Sequence, residues 1–450
     1  MYTISSKIKL FAVIFMVVGA IGMVYAFLSA PSDIEDVKKI IAEQEHHGDG
    51  HGAAATTHHV EENHAGDHAK ADAHADAAHD EHDKHAKHML HQLQNKPWAA
   101  VYVAAFFFFM ISLGVLAFYA IQHAAQAGWS PVLFRVMEAI TAYLLPGSII
   151  VFILLALSGF HVNHLFVWMD ADVVANDKIL QGKQSYLNVP FFLIRAAIYI
   201  AGWNLFRYFL RRNSLRHDEV DHNRYYKQSF KLSAGFLVFF IVTESMMSWD
   251  WIMSLDPHWF STLFGWYVFA SLFVSGITVI ALITIYLKSR GYLEYVNDSH
   301  IHDLAKFMFG ISIFWTYLWF SQFMLIWYSN IPEEVTYFIT RIDDYKLPFF
   351  GMLALNFVFP VLVLMNSDYK RVNWFVVMAG IIILFGHYID IFNMVMPATV
   401  GKSWFIGVPE ISALLFFGGL FVWVVFSALT KAPLLAKRNP FMKESQHFHY

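Results

Sequence analysis

Apolar runs long enough to cross a bilayer recur down this chain, and they constrain its fold more than any other feature. Crossing about 30 Å of hydrocarbon takes about 20 helical residues. Ten segments meet that need: 10–30, 98–121, 132–160, 187–210, 232–249, 262–287, 307–328, 347–366, 372–396 and 408–429. Lipid offers the backbone no hydrogen-bond partner, so each segment must satisfy its own amides and carbonyls as a helix. The fold expected is therefore an all-α polytopic membrane protein of about ten transmembrane helices. Hydrophobic residues make up 57% of the chain and charged residues 15%, which excludes a string of soluble domains. Two spans carry breaks, at Pro146-Gly147 and at Pro360, where a kink or widened turn is expected.

Orientation follows from lysine and arginine near the span ends. With the N-terminus inside, the inner segments hold 19 of the 31 basic residues and the four short outer loops hold 5. The basic stretch 207–231 anchors that reading. Both termini are expected in the cytoplasm. The chain then divides into an N-terminal transmembrane helix (1–30), a long outer loop (31–97), a nine-helix core (98–430) and a cytoplasmic tail (431–450). The first span reads as an uncleaved helix, because its apolar stretch is longer than a signal core and Pro31 follows it.

There is no cysteine. That rules out disulfides, c-type haem attachment and cysteine-ligated iron–sulfur clusters. Residues 46–91 hold 13 of the 24 histidines among Ala, Asp, Glu, Gly and Lys. With few bulky apolar side chains to bury, this stretch reads as a flexible hydrated periplasmic loop. In the run His79, His82, His85, His88 and His91 an i, i+3 pair on a helix could hold a metal ion, but such a site would normally include a third fixed ligand, and no metal site is assigned to it.

Ionisable groups at membrane depth are costly and mark partners or watery cavities. Six occur: Glu138, Arg195, Glu244, His387, Asp390 and Glu410. All but Glu138 fall in the outer half. His387 and Asp390, one helical turn apart, share a face that Asn393 extends. This set reads as a proton path or ligand-binding cluster, with Arg195 as the counter-charge of Glu244 or Asp390. Glu410, in a first helical turn, suits the helix dipole. Glu138 is either an inner proton entry point or an interfacial side chain. His161 and His164 stand at the outer interface, where they could meet a quinone carbonyl or accept a proton. Only His387 is deep, so a bis-histidine haem is not expected.

The segment 248–266, SWDWIMSLDPHWFSTLFGW, links the fifth and sixth spans. It resembles the outer loop of the NrfD/polysulfide-reductase-like membrane subunits of bacterial alternative complex III, quinol:cytochrome c oxidoreductases. The similarity is greatest to the smaller of the two such subunits, quinone-binding subunit 2. The histidine-rich stretch lies outside the resemblance. The resemblance implies two four-helix bundles, spans 2–5 and 6–9, flanked by spans 1 and 10, in a bacterial inner membrane. It implies a quinol-oxidising assembly that passes electrons to cytochrome c or to a terminal oxidase. Haem and iron–sulfur clusters would sit on partner subunits, beside a sister NrfD-like subunit. No cofactor is expected to be covalently bound, and quinone is the ligand implied. Asp250, Asp256 and His258 fall within the matched motif as outer-surface candidates. Trp249, Trp251 and Trp259 are expected to anchor the loop in the headgroups while the two aspartates face water. Membrane lipid is the expected surround, and nucleic acid is not an expected partner. Two other readings stay open: a secondary transporter or ion channel, and a purely structural scaffold within the same complex.

Overall fold

The computed structural model describes residues 2–31, 33–37 and 68–449, and these hold helices and no strands. Ten helical segments are long and apolar enough to cross a membrane. They are span 1 (Ser6–Leu28), span 2 (Met89–Ala124), span 3 (Pro131–Gly159), span 4 (Val189–His217) and span 5 (Arg224–Leu255). Span 6 (Phe264–Ser289), span 7 (Asp298–Ser329), span 8 (Lys346–Leu364), span 9 (Asn373–Val400) and span 10 (Val408–Leu429) complete the set. Each coincides with one expected from the sequence. The chain is a ten-helix polytopic protein by architecture.

Even span number brings both ends of the chain to one face. There the Tyr2 ring meets Tyr292 at 5.2 Å and Asn297 donates to the Phe448 carbonyl at 2.6 Å. This end is called the termini face, and the opposite end the distal face. Spans 2 and 6 are buried nearly all round, whereas most of the others turn large apolar side chains outward. Exposed Leu, Ile and Phe on those outer helices are what a lipid-facing surface requires.

The two central helices touch backbone to backbone. A Cβ at Gly114 would stand 2.2 Å from the Leu272 carbonyl oxygen, and one at Gly276 would stand 2.9 Å from the Val115 amide. Small residues at a crossing are how membrane helices gain close packing. Span 2 packs against spans 3 and 5 and also against spans 6, 9 and 10. Span 6 packs against spans 5, 7 and 9, and span 4 against span 5. Span 1 lies on span 10, where Gly19 and Gly419 again bring backbones together.

Both expected breaks have a visible form. In span 3 a 3-10 turn, Thr141–Tyr143, precedes Pro146, which has no N–H to bond back one turn. In span 8 a π-helical turn, Ala354–Val358, precedes Pro360, which has no N–H to bond back along the helix. The helix containing span 2 begins at His68, earlier than expected, and so takes in part of the histidine-rich stretch. Alanine-rich sequence free of Gly and Pro from 68 to 96 explains a helical backbone there. The earlier histidines, from His46 to His64, lie outside the described residues.

Candidate functional site

The deepest polar cluster is built on span 9. His387 and Asp390 are both fully buried, with His387 Nδ1 3.4 Å from Asp390 Oδ2. Span 6 supplies Tyr267, whose hydroxyl donates to Asp390 Oδ1, and Ser271, whose Oγ is 3.0 Å from His387 Nδ1. Span 7 supplies Trp315, whose indole N–H donates to Asp390 Oδ2 at 2.9 Å. Span 8 supplies Asn356 from its π-helical turn, with Nδ2 3.5 Å from His387 Nδ1. Gly386 makes that approach possible, because a Cβ there would lie 2.0 Å from Asn356 Oδ1. Four helices thus converge on one acid–base pair. His387 Nε2 and Asn356 Oδ1 are buried without a hydrogen-bond partner.

Toward the distal face the stripe continues through Asn393, which donates to the Pro348 carbonyl at 3.0 Å. Arg341, on the short helix Pro332–Asp343, donates from Nε to the Asn393 carbonyl at 3.1 Å. Its guanidinium lies over the Tyr337 ring at 3.3 Å, and among the described residues no carboxylate pairs with it. Burial pushes its pKa down, yet a guanidinium keeps its charge. Tyr267, Gln322, Tyr337, Arg341 and Asn393 share a cavity of about 20 Å³, room for one water molecule.

A second cluster joins spans 4 and 5. Arg195 grips Asp250 with two hydrogen bonds, Nε to Oδ2 at 2.8 Å and Nη2 to Oδ1 at 2.9 Å. Tyr199 donates to Oδ2 at 3.3 Å, and the guanidinium stacks over Tyr186 and Phe191 at 3.9 and 4.3 Å. This corrects the expected pairing: Arg195 serves neither Glu244 nor Asp390. It also corrects the placement of Asp250, which is fully buried and does not face water. The helix runs on through Trp251, so Asp250 is still in a helical turn that points inward. Trp251 is likewise buried, ringed by Phe106, Phe109 and Trp203 and not set among headgroups. Glu244, also buried, accepts the Ser248 hydroxyl at 3.2 Å.

Next to this pair an apolar cavity of about 780 Å³ opens at the distal face, lined by Tyr186, Ser245, Trp249, Ser254 and Trp259 among others. Tyr186 stacks on Arg195, and burial pushes its hydroxyl up to about 12. Trp259, also buried, stacks on Tyr337 at 3.7 Å. Contacts therefore run from this cavity through Trp259, Tyr337 and the small cavity to Tyr267 and Asp390.

The remaining candidates scatter. Glu138 sits at the termini face, bound by Arg135 Nη1 at 2.9 Å, Arg211, Ser214 and Tyr119. His161 and His164 both lie beside Asp170, at 3.4 and 3.2 Å, and are half-exposed. His258 contacts Asp177 at 2.5 Å, which holds that carboxyl below the usual carboxylate range. Asp256 is half-buried nearby. Glu410 accepts the Gly407 amide at 2.8 Å and caps span 10. Among the described residues no three His, Asp or Glu side chains converge as a metal-holding group.

Tyr267, Trp315, Asn356 and Arg341 were not singled out by sequence. Three are neutral residues inside apolar spans, and Arg341 sits in a connecting helix. Only the Pro360 break pointed toward Asn356. Compared with protein-family models and with curated proteins, the chain matches none.

Proposed function

We propose that this chain is the membrane subunit of a respiratory quinol-oxidising assembly, and that its buried acids move protons for electrons carried by partner subunits. The carrying observation is the Asp390–His387 pair, fully buried and linked by contact to an apolar cavity at the distal face. An acid beside an imidazole with a free nitrogen is suited to proton exchange.

The distal cavity fits a lipophilic quinone in volume and lining, falling in the range of small-molecule sites. Tyr186, Ser245, Ser254 and Trp259 would hold it. A quinol supplies two electrons and two protons. In this reading the Asp390–His387 pair relays protons, with His387 exchanging them through its unpartnered Nε2. Tyr267 connects Asp390 to the water-sized cavity. Arg341 orients that water and keeps other cations out. Arg195 pairs with Asp250 and fixes the cavity wall through Tyr186. Support also comes from the resemblance of 248–266 to the complex III membrane subunits; in this reading haem and iron–sulfur clusters would sit on partners in a bacterial inner membrane.

Replacing Asp390 and Glu244 by their amides tests the reading. Asp390→Asn is expected to slow quinol-dependent turnover at least tenfold or to uncouple proton release, with a smaller effect for Glu244→Gln. Unchanged turnover and coupling in both variants would remove these acids from the mechanism.

One observation favours a second reading, a proton-coupled transporter. The π-helical turn in span 8 places unpartnered Asn356 Oδ1 beside His387, and broken helices form substrate sites in transporters. Uptake of a solute by the chain reconstituted alone would favour it over the assembly.

A further inference from the structure

Between the termini-facing ends of spans 4 and 5 lies an open groove of about 680 Å³ that none of the clusters above uses. Its rim carries Arg212 and Arg216 from span 4 and Arg224 and Lys231 from span 5, all exposed. Among the described residues no acidic side chain lines it. Of the nearby acids, Asp218 is engaged by Arg135, Asp221 by Arg438 and Glu138 by Arg135 and Arg211, while the exposed Glu219 is not part of the lining. Arg212 and Arg216 are one turn apart, a like-charge spacing that destabilises a helix unless an anion relieves it.

Deeper in the groove the lining becomes apolar, with Phe206, Phe209 and Leu232. Ten residues separate Phe206 from Arg216, about 15 Å along the helix. That is the distance from a headgroup phosphate into the acyl region. Gly235 keeps the floor open, because a Cβ there would meet only Phe206 Cε1, at 3.8 Å. A groove with cations at headgroup level and aliphatic and aromatic walls below matches a molecule that is anionic at one end and hydrocarbon at the other.

We propose that this groove is a specific binding site for an anionic phospholipid. The headgroup phosphate lies among Arg212, Arg216 and Arg224, and an acyl chain runs past Phe206 over Gly235. Basic pockets between helices at a membrane face recognise such headgroups, with each nearby cation adding to the attraction. The site stands apart from Asp390 and from the distal cavity, and so does not depend on the function proposed above.

The full chain, purified in mild detergent and stripped of lipid, is titrated with phosphatidylglycerol or phosphatidylcholine, and bound lipid is counted by native mass spectrometry. Phosphatidylglycerol is expected to bind saturably and phosphatidylcholine more weakly. The triple variant Arg212→Gln, Arg216→Gln, Arg224→Gln is expected to lose affinity on the order of a hundredfold. Gly235→Trp keeps every charge and is expected to weaken binding by blocking the floor. Lys7→Gln with Lys9→Gln, exposed cations elsewhere on the same face, is expected to leave binding unchanged. Equal binding of the two lipids, full retention in the triple variant or in Gly235→Trp, or displacement of the lipid by inorganic phosphate would each overturn the proposal.

Discussion

Arg195 and Asp250 form a two-pronged pair with almost no solvent on either side chain, so each charge depends on the other. Removing one leaves an uncompensated charge in low dielectric, at a cost of about 3–5 kcal/mol. Arg195→Met is therefore expected to lower the unfolding temperature sharply, and adding Asp250→Leu to recover most of the loss, as read by thermal denaturation in detergent. If the double variant is as unstable as the single one, the pair is not the source of the effect. At the distal surface, His258 holds the Asp177 carboxyl below its ordinary range. A depressed carboxyl contributes stability above its unfolded value and loses it as pH falls through the folded one. Protection of the amides in the loop 253–263, corrected for intrinsic exchange, is expected to hold above the ordinary carboxylate range and to fall as pH drops below it. Asp177→Asn should abolish that acid dependence. At this scale the sequence marks Glu244 and Asp390 as buried, misplaces Asp250 at the surface and says little of their partners. Charge and hydropathy mark Asp390 and Arg195, because an ionisable residue in an apolar run stands out. They say nothing of Tyr267 or Trp315, which are ordinary residues in an apolar helix and gain their role only when spans 6 and 7 pack on span 9.

Elements were the most legible level, because the requirement that lipid imposes on the backbone is local. All ten spans could be placed from apolar length alone, and both prolines distort their helices nearby. The ends were harder. Span 5 was expected to stop at 249, and the two further helical residues turn Asp250 and Trp251 from the surface into the core. Helix crossings were illegible, since a glycine in an apolar run looks the same whether it faces lipid or another backbone. The structure separates them. Gly114→Leu, set against the Leu272 carbonyl, is expected to prevent spans 2 and 6 from meeting and to abolish recovery of folded protein by size-exclusion chromatography. Gly310→Leu meets nothing within 4 Å and should be tolerated. Equal yields of the two variants would mean that the central crossing does not hold the molecule together.

For the molecule as a whole, a polytopic scaffold carries buried acids near an apolar cavity, and the sequence contains no thiol for a redox centre. The reading proposed is that its chemistry is completed by others. Purification of the tagged chain in mild detergent from its own membrane, followed by a visible spectrum and subunit stoichiometry, tests this most directly. The account predicts haem-bearing partners at a fixed ratio, with haem reduced on addition of quinol. Recovery of the chain alone, free of haem and active in solute uptake, would contradict it.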